Sequence, residues 1–390
     1  MMHMGTAEAA ATAHPRLMPP TPWRRIAHLA MLGTLTMALL VLWDVNRTGA
    51  HPANLLQGGT AGPAAGLVQR DFPDVEFPAG LGLDGQQYYA MARSPLHLDD
   101  AAASLDRPIY RWQRPLFPWL VRVVHPMGGG GAGLVGAFLV VGLGALLLGG
   151  VAAGALSSAL GGRTWPAALF PLLPGAYMSL RVTMADTLAL ALMLAALALA
   201  AHRRTGLAVI VGCLAVLTRE TAIIALVGWA LGRRTRANAL IAAIPIATAA
   251  AWGAWLRVTL PATNGEKVDE LGLPFVGLAH AMRDHWLAGT NRLGMLSTIT
   301  ALAVAAFALR RAGRAHPLVA PIVCSLAFVA LMNHNVIGID FGATRSTMPL
   351  LMLSLLCLAT IQRRVEYDAP QHGEVGMVGP GVMSGAPLSR

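Results

Sequence analysis

The chain has 390 residues, of which 55% are hydrophobic and only 12% are charged. This composition excludes a soluble globular domain and predicts an all-α, polytopic bundle of transmembrane helices. The formal net charge is +10. Arginines gather in the flanks of apolar runs that the positive-inside rule assigns to the cytoplasm, so membrane topology accounts for the charge without a nucleic-acid partner.

The N-terminal segment, residues 1–23, is rich in Ala, Pro and Met, and we expect it to be a disordered cytoplasmic extension. The apolar run at 26–43 follows the pair Arg24 and Arg25. It is longer than the core of a secretory signal peptide, and no good small-residue cleavage site follows it. We therefore predict an uncleaved first span, with both termini on the cytoplasmic side of the cytoplasmic membrane.

The next segment, residues 44–115, is the predicted first outer loop. It carries one acidic residue in a polar motif, Gly82-Leu83-Asp84-Gly85-Gln86-Gln87-Tyr88-Tyr89. Asp84 can serve as a general base that takes the proton of an acceptor hydroxyl, while the Gln86, Gln87, Tyr88 and Tyr89 side chains bind hydroxyl groups. The alternative is a metal site, in which the Asp84 carboxylate and waters hold Mg²⁺ or Mn²⁺. The sequence leaves both roles open.

Helical spacing over 108–122 predicts short helices that lie along the membrane surface. Arg111 and Arg114 fall near one face, and Trp112 and Trp119 belong to the apolar face. The arginines can hold a phosphorylated, sugar-like ligand. The alternative is an interfacial anchor, whose tryptophans sit at headgroup level and whose arginines meet lipid phosphates.

Eight apolar runs approach the length that crosses a hydrocarbon core of about 30 Å. They lie at 26–43, 131–156, 164–180, 184–201, 238–256, 293–309, 317–333 and 347–361. Asp186 stands at the outer junction of the third and fourth runs. It can cap the helix that follows it or act as a second catalytic acid.

A further apolar segment, 206–231, is interrupted by Thr218-Arg219-Glu220-Thr221. Since arginines flank it at both ends, both flanks should be cytoplasmic, and we predict a re-entrant helical hairpin whose turn borders a polar cavity. The alternative is one long tilted helix. Intramembrane charges mark functional cavities, so we expect Arg219 and Glu220 to line the site, with an ion pair that closes the turn as the alternative.

The predicted second outer loop, 257–292, has many charged residues but no pattern that indicates chemistry. Arg345 precedes the last span, where its guanidinium fork suits a phosphate or pyrophosphate, although it can also be an ordinary snorkelling arginine. The bundle should cover residues 24–362. The tail, 363–390, is predicted to be disordered and cytoplasmic.

This arrangement resembles the GT-C superfamily of integral membrane glycosyltransferases. The resemblance depends on Asp84 in the first outer loop, the surface helices after it, Asp186 after a short outer turn, Arg345 before the last span, and an Arg-Pro-x-x-Pro junction at 114–118. It covers about residues 24–362. The chain departs from the family by lacking a second acidic residue beside Asp84 and a large soluble C-terminal domain.

The resemblance implies transfer of a sugar from a polyprenyl-phosphate donor to a glycan or lipid acceptor. Asp84 would be the general base or a metal-associated acid, and Arg114, Arg219 and Arg345 would hold the donor phosphate. The main alternative from another class is a transporter or flippase of a lipid-linked or anionic substrate, which predicts repeated halves. A non-enzymatic assembly partner is the third alternative. An enzyme predicts that Asp84, Asp186, Arg219 and Arg345 converge on one cavity.

Overall fold

The computed structural model describes residues 22–49, 51–260 and 271–368, and their side chains as far as residue 361. The disordered segments predicted at 1–23 and 363–390 lie mostly outside these ranges. Where they overlap, the chain is helical: the first helix begins at Trp23 and the last ends at Asp368. Within the described ranges, regular secondary structure is helical, apart from one isolated bridge between Leu271 and Met332.

The described part of the chain starts with a long apolar helix, α1 (Trp23–Arg47). The segment that follows, predicted to be the first outer loop and called the outer loop below, contains short helices. These are α2 (Ala65–Asp71), α3 (Asp84–Arg93), α4 (Leu98–Ala102), α5 (Pro108–Trp112) and α6 (Leu116–Val124). The short helices predicted over 108–122 are α5 and α6. Arg114 lies in the break between them, just before Pro115, and prolines disfavour a continuous helix at this point.

Seven helices make up the middle of the chain: α7 (Ala132–Ala159), α8 (Pro166–Leu169), α9 (Pro174–Arg181), α10 (Asp186–Ala201), α11 (Thr205–Thr218), α12 (Ala222–Arg233) and α13 (Arg236–Thr259). The predicted apolar run at 164–180 is not one continuous helix. Pro166, Pro171 and Pro174 divide it, because each proline removes a backbone N–H and clashes with the preceding turn.

The last part contains α14 (Val276–Ala281), a π-helical turn (Met282–Trp286), α15 (Arg292–Arg311), α16 (Val319–Leu331), α17 (His334–Ile337) and α18 (Asp340–Asp368). Five described helices, α1, α7, α13, α15 and α18, are long and apolar enough to cross a membrane, whereas α10, α11, α12 and α16 are apolar but shorter. The protein thus has the helices of a membrane protein. The count of eight spans stays a prediction.

Small residues let the helices approach closely, as is common in membrane bundles. A Cβ atom at Gly33 of α1 would lie 2.5 Å from the Ala168 carbonyl oxygen, and one at Gly150 of α7 would lie 2.8 Å from the Ala30 Cβ. Backbones here are therefore in direct contact. α7 also packs along α10, and α15 packs along α18.

The interrupted segment 206–231 forms two helices, α11 and α12, joined at Arg219–Thr221. Gly212, seven residues before Arg219, lies beside Leu226: a Cβ atom there would be 3.4 Å from the Leu226 Cδ1. Cys213 is 3.3 Å from Thr248 of α13. α11 therefore packs mainly along α13, and it meets α12 only near their turn. Re-entry of this pair into a membrane stays a prediction.

Candidate functional site

The site is built around Asp84, the first residue of α3, whose carboxylate is held between two arginines. Its Oδ1 accepts a hydrogen bond from Arg111 Nη1 at 2.8 Å, and its Oδ2 accepts one from Arg345 Nη1 at 3.0 Å. Arg111 comes from α5 in the outer loop and Arg345 from the start of α18. A helix N-terminus favours a carboxylate, and the two guanidinium groups add charge-assisted bonds.

Asp186 extends this chain of ion pairs toward the α11–α12 turn. It is the first residue of α10 and is only 4% exposed. Its Oδ1 accepts a hydrogen bond from Arg219, and its Oδ2 lies 3.6 Å from Arg345 Nη1. The four predicted residues are therefore linked by ion pairs. Asp186, Arg219 and Arg345 line one cleft, whereas Asp84 is joined to it through Arg345 and is not part of its lining.

Glu220 follows Arg219 in the chain but binds another partner. Arg114 donates from Nε to Glu220 Oε2 at 2.8 Å, and the Arg114 side chain is 2% exposed. The predicted alternative, an ion pair between Arg219 and Glu220 that closes the turn, does not describe these bonds. Each of the two side chains connects the turn to a different element, because adjacent residues in an extended turn point in different directions.

Sequence reasoning missed two residues of the site, Asp106 and Tyr110. Asp106 binds Arg111 through both oxygens, at 2.8 Å from Nε and 2.7 Å from Nη2. Tyr110 accepts a hydrogen bond from Arg114 Nη2 at 2.8 Å, and its ring lies 4.0 Å from the Arg107 guanidinium carbon and 4.4 Å from that of Arg114. A tyrosine between arginines spaced three and four apart was the available signal, since such residues share a helix face.

These ionised side chains are called the charged cluster below. The cluster consists of Asp84, Asp106, Asp186, Glu220, Arg111, Arg114, Arg219 and Arg345.

Three of the four residues predicted to bind hydroxyls after Asp84 instead support the outer loop. Gln86 bonds to the Leu81 carbonyl and to the Gly59 N–H, and Gln87 accepts from the Asp106 N–H at 3.3 Å. Tyr89 donates to Asp71 at 2.6 Å. Gln86 and Tyr89 lie two and five residues after Asp84 and therefore leave the face of α3 that carries it. Gln87, three residues on, is near that face, but its side chain is taken up by the Asp106 backbone.

Tyr88 is the exception, because it follows Asp84 by one helical turn. Its ring is buried edge-on against Phe117, with centroids 5.5 Å apart. Burial raises the pKa of Tyr88, and the charges of Asp84, Asp186, Arg114 and Arg219 all act on its hydroxyl. Of the four predicted residues, Tyr88 is the one whose hydroxyl lies within the field of the ionised side chains of the cluster.

A narrow cleft of about 40 Å³ begins at the charged cluster and runs between α10, α12, α16 and α18. Asp186, Arg219 and Arg345 form its polar end. Its other walls are largely apolar and include Leu190, Met193, Ile224, Phe328, Met348 and Pro349. The cleft therefore matches a molecule with a charged head and an apolar chain.

Buried polar atoms at the head of this cleft lack hydrogen-bond partners among the described residues. They are Arg345 Nε, Asp186 Oδ2 and Ser346 Oγ. Leaving a buried donor or acceptor unpaired costs about 1–3 kcal/mol. Such atoms are satisfied when a polar ligand or water occupies the cleft, and together they offer both donors and an acceptor.

The protonation state of Asp84 is set by its neighbours. Burial by itself would raise the pKa of this carboxyl, but the charges of Arg111 and Arg345 outweigh burial and hold the pKa well below its usual range. Asp84 is therefore ionised at neutral pH. In this arrangement it is also a weak base, because both oxygens already accept strong hydrogen bonds.

The charged cluster fits a divalent metal ion poorly. In the described part of the chain, no group of three or more His, Cys, Asp or Glu side chains is placed to hold a metal. Asp84 presents both oxygens to guanidinium groups, and Asp186 presents one. A Mg²⁺ or Mn²⁺ ion would need several oxygen ligands in place of these cations.

Comparison with known proteins leaves the chemistry to be argued from this geometry. No family model matches the chain, and neither a curated protein nor a solved structure is significantly similar to it. The family resemblance of the sequence therefore has no independent support. The charged cluster and its cleft are the features of the protein that bear on its function.

Proposed function

We propose that the protein is a membrane glycosyltransferase of the GT-C type. It transfers a sugar from a polyprenyl-phosphate donor to a hydroxyl of a glycan or lipid acceptor, on the outer face of the cytoplasmic membrane. Both termini are cytoplasmic, and α11 and α12 re-enter the membrane as a hairpin. The turn between these two helices then brings Arg219 and Glu220 to the site from within the membrane.

The observation that carries this proposal is the cleft with one charged end. Arg219 and Arg345 supply guanidinium groups at its head, where the phosphate binds. The apolar walls between α10, α12, α16 and α18 accept the first units of the polyprenyl chain. A soluble sugar nucleotide would not need such a wall. The amphiphilic shape therefore favours a lipid-linked donor.

Asp84 is the base in the proposed reaction. The acceptor hydroxyl attacks the anomeric carbon, Asp84 takes its proton, and the bond from the anomeric carbon to the phosphate oxygen breaks. Polyprenyl phosphate leaves with the electron pair of that bond, and the anomeric configuration inverts. Arg219 and Arg345 offset the charge that develops on the leaving phosphate. No atom of this step is assigned to a metal ion.

A transporter or flippase is the second candidate, favoured by one observation. The α11–α12 break carries Arg219 and Glu220, and transporters use discontinuous helices to bind ions and charged substrates. A transporter would move the lipid-linked substrate without cleaving it. The two candidates therefore differ in whether polyprenyl phosphate is released.

The test uses purified full-length protein in nanodiscs, a set of radiolabelled polyprenyl-phosphate sugars and a lipid extract as acceptor. We expect the wild type to release polyprenyl phosphate and label an acceptor. Asp84→Asn should lower that rate at least about 100-fold, the size of a general-base contribution. Asp284→Asn, which changes an exposed aspartate paired with Arg283, is the matched control.

Protein abundance and elution from a sizing column should be the same for both variants. If Asp84→Asn releases polyprenyl phosphate at the wild-type rate, Asp84 is not the base. Translocation of intact donor in proteoliposomes, with no release of polyprenyl phosphate for any sugar, would instead support the transporter.

A further inference from the structure

Asp84 cannot act as a base in the arrangement described above. Arg111 occupies its Oδ1 at 2.8 Å and Arg345 occupies its Oδ2 at 3.0 Å. Its side chain is 18% exposed, so only a limited part of the carboxylate remains open to an acceptor. For a hydroxyl to give its proton to Asp84, one of these two arginines must move away.

Arg111 is the fixed partner. All three of its guanidinium nitrogens are engaged, Nη1 by Asp84 and the Nε and Nη2 pair by the two oxygens of Asp106. This two-point bond with Asp106 has the fork geometry that makes arginine–carboxylate pairs strong. Displacing Arg111 would break three hydrogen bonds at once.

Arg345 is held far less firmly. Its Nη1 makes the 3.0 Å bond to Asp84, lies 3.3 Å from the Met184 sulfur and stands 3.6 Å from Asp186. Its Nε is buried without a hydrogen-bond partner among the described residues. The same side chain lines the cleft. An anion in the cleft can accept a hydrogen bond from the unpaired Arg345 Nε and so move the guanidinium group away from Asp84.

We propose that Arg345 is a latch on Asp84, which an anionic lipid headgroup releases by binding the Arg345 guanidinium, whereas Asp106 positions Arg111 so that it stays in place. This inference rests on the proposed function for the identity of the headgroup, a phosphate. It adds an order of events. The donor binds first, and only then is Asp84 Oδ2 free to accept the proton of the acceptor hydroxyl.

The latch has a chemical benefit. Without donor, the carboxylate is covered, and no water molecule is activated next to it. After the phosphate takes Arg345, Asp84 loses one of two guanidinium partners, and it becomes a better base because a removed positive charge raises the proton affinity of a carboxylate. Arg111 then keeps Asp84 oriented.

Infrared difference spectroscopy tests the latch without depending on turnover. The probe is decyl phosphate, which has a phosphate head and an apolar chain. Decanol has the chain alone, and inorganic phosphate has the head alone. Full-length protein with isotope-labelled aspartate is titrated in nanodiscs, and binding is followed in parallel by tryptophan fluorescence. We expect decyl phosphate to shift an aspartate carboxylate band and decanol to leave it unchanged.

Variants assign the band. Asp84→Asn should abolish the shift, and Arg345→Gln should abolish it too, with the band of the unliganded variant already at the position of the liganded wild type. Asp106→Asn should enlarge the shift, since Arg111 is then free to follow the phosphate. Asp284→Asn is the control that should behave like the wild type. If Arg345→Gln fails to fold, Arg345→Lys replaces it, and the shift should persist at decyl phosphate concentrations at least about tenfold higher.

Binding of decyl phosphate with no change in the Asp84 band would overturn the latch and leave the proposed phosphate site intact. An unchanged shift in Asp106→Asn would overturn the positioning role of Asp106. Equal affinity for decyl phosphate and decanol would overturn the latch together with the phosphate site of the proposed function.

Discussion

Arg114 grips Glu220 across 106 positions of the chain, with its Nε 2.8 Å from the Glu220 Oε2. One residue lies in the break between α5 and α6, and the other lies in the turn between α11 and α12. The bond therefore ties the outer loop to the helical bundle. The same bond fixes the position of the outer loop relative to the cleft.

The Arg114–Glu220 pair yields the first prediction. Glu220→Gln leaves the buried Arg114 guanidinium without its counter-charge, so we expect the free energy of unfolding to fall by about 3 kcal/mol. The double variant Arg114→Met with Glu220→Leu should recover most of that loss, because it removes both charges. Reversible unfolding in mixed micelles measures both values.

The single variants Arg114→Met and Glu220→Leu complete the cycle. If their losses add up to that of the double variant, the pair does not couple the loop to the bundle. Asp284→Asn, in the fully exposed Arg283 pair, should leave the unfolding free energy nearly unchanged.

The second prediction concerns Gly85, the residue after Asp84. A Cβ atom there would lie 2.5 Å from the Val182 carbonyl oxygen and 2.7 Å from that of Leu56. Gly85→Ala must therefore shift the start of α3, and a displacement of about 1 Å at a reacting group can cost about 100-fold in rate. Gly66→Ala in α2 is the matched control, since nothing lies within 4 Å of its Cβ. Equal transfer rates in the two variants would argue against a role for the position of Asp84.

The third prediction separates the two functions of Tyr110. Tyr110→Phe removes the hydrogen bond with Arg114 and keeps the ring, so we expect a loss of about 1 kcal/mol or less in transition-state stabilisation. Tyr110→Leu also removes the aromatic face beneath the guanidinium groups of Arg107 and Arg114. It should lower kcat/KM at least about tenfold. Identical kinetics of the two variants would mean that the ring does not hold the arginines.

The fourth prediction follows from the lowered pKa of Asp84. A carboxyl whose pKa is lower in the folded protein contributes stability above its unfolded pKa of about 3.9, and loses it as the pH falls toward the folded value. The difference in unfolding free energy between wild type and Asp84→Asn should therefore stay constant from about pH 8 to pH 5. It should shrink below about pH 4. A difference that grows with acidification would contradict the ion pairs with Arg111 and Arg345.

The sequence predicted the long apolar helices and several charged residues of the site better than the roles of side chains within it. Asp186, Arg219 and Arg345 could be named because an ionised residue in or beside an apolar run needs a polar environment, and Asp84 could be named from its polar motif. The ion pairs between these residues could not be predicted, because they depend on how α10 and α18 pack in the folded protein. The prolines at 166, 171 and 174 indicate that segment 164–180 is divided, but the continuous apolar composition around them favoured a single span.

The outer loop was harder to predict for a physical reason. Gln86, Gln87 and Tyr89 are polar residues in a motif with an acid, and composition alone suggested that all of them face a ligand. Which face of α3 turns toward the charged cluster is decided by contacts with distant parts of the loop, such as Asp71 and Gly59. Asp106 was missed for a related reason, because its bonds with Arg111 depend on how α5, which begins at Pro108, is oriented.

The charged cluster contains four carboxylates and four guanidinium groups, so its formal charge is zero before any ligand arrives. An electroneutral site exerts little attraction beyond the Debye length, which is about 8 Å at physiological ionic strength. An anion is then selected only when it reaches the site, where it replaces a carboxylate as the partner of an arginine. Long-range electrostatic steering contributes little. The KM for a lipid-linked donor should consequently change little between low and physiological salt, as expected of an enzyme that receives its substrate by lateral diffusion from the membrane.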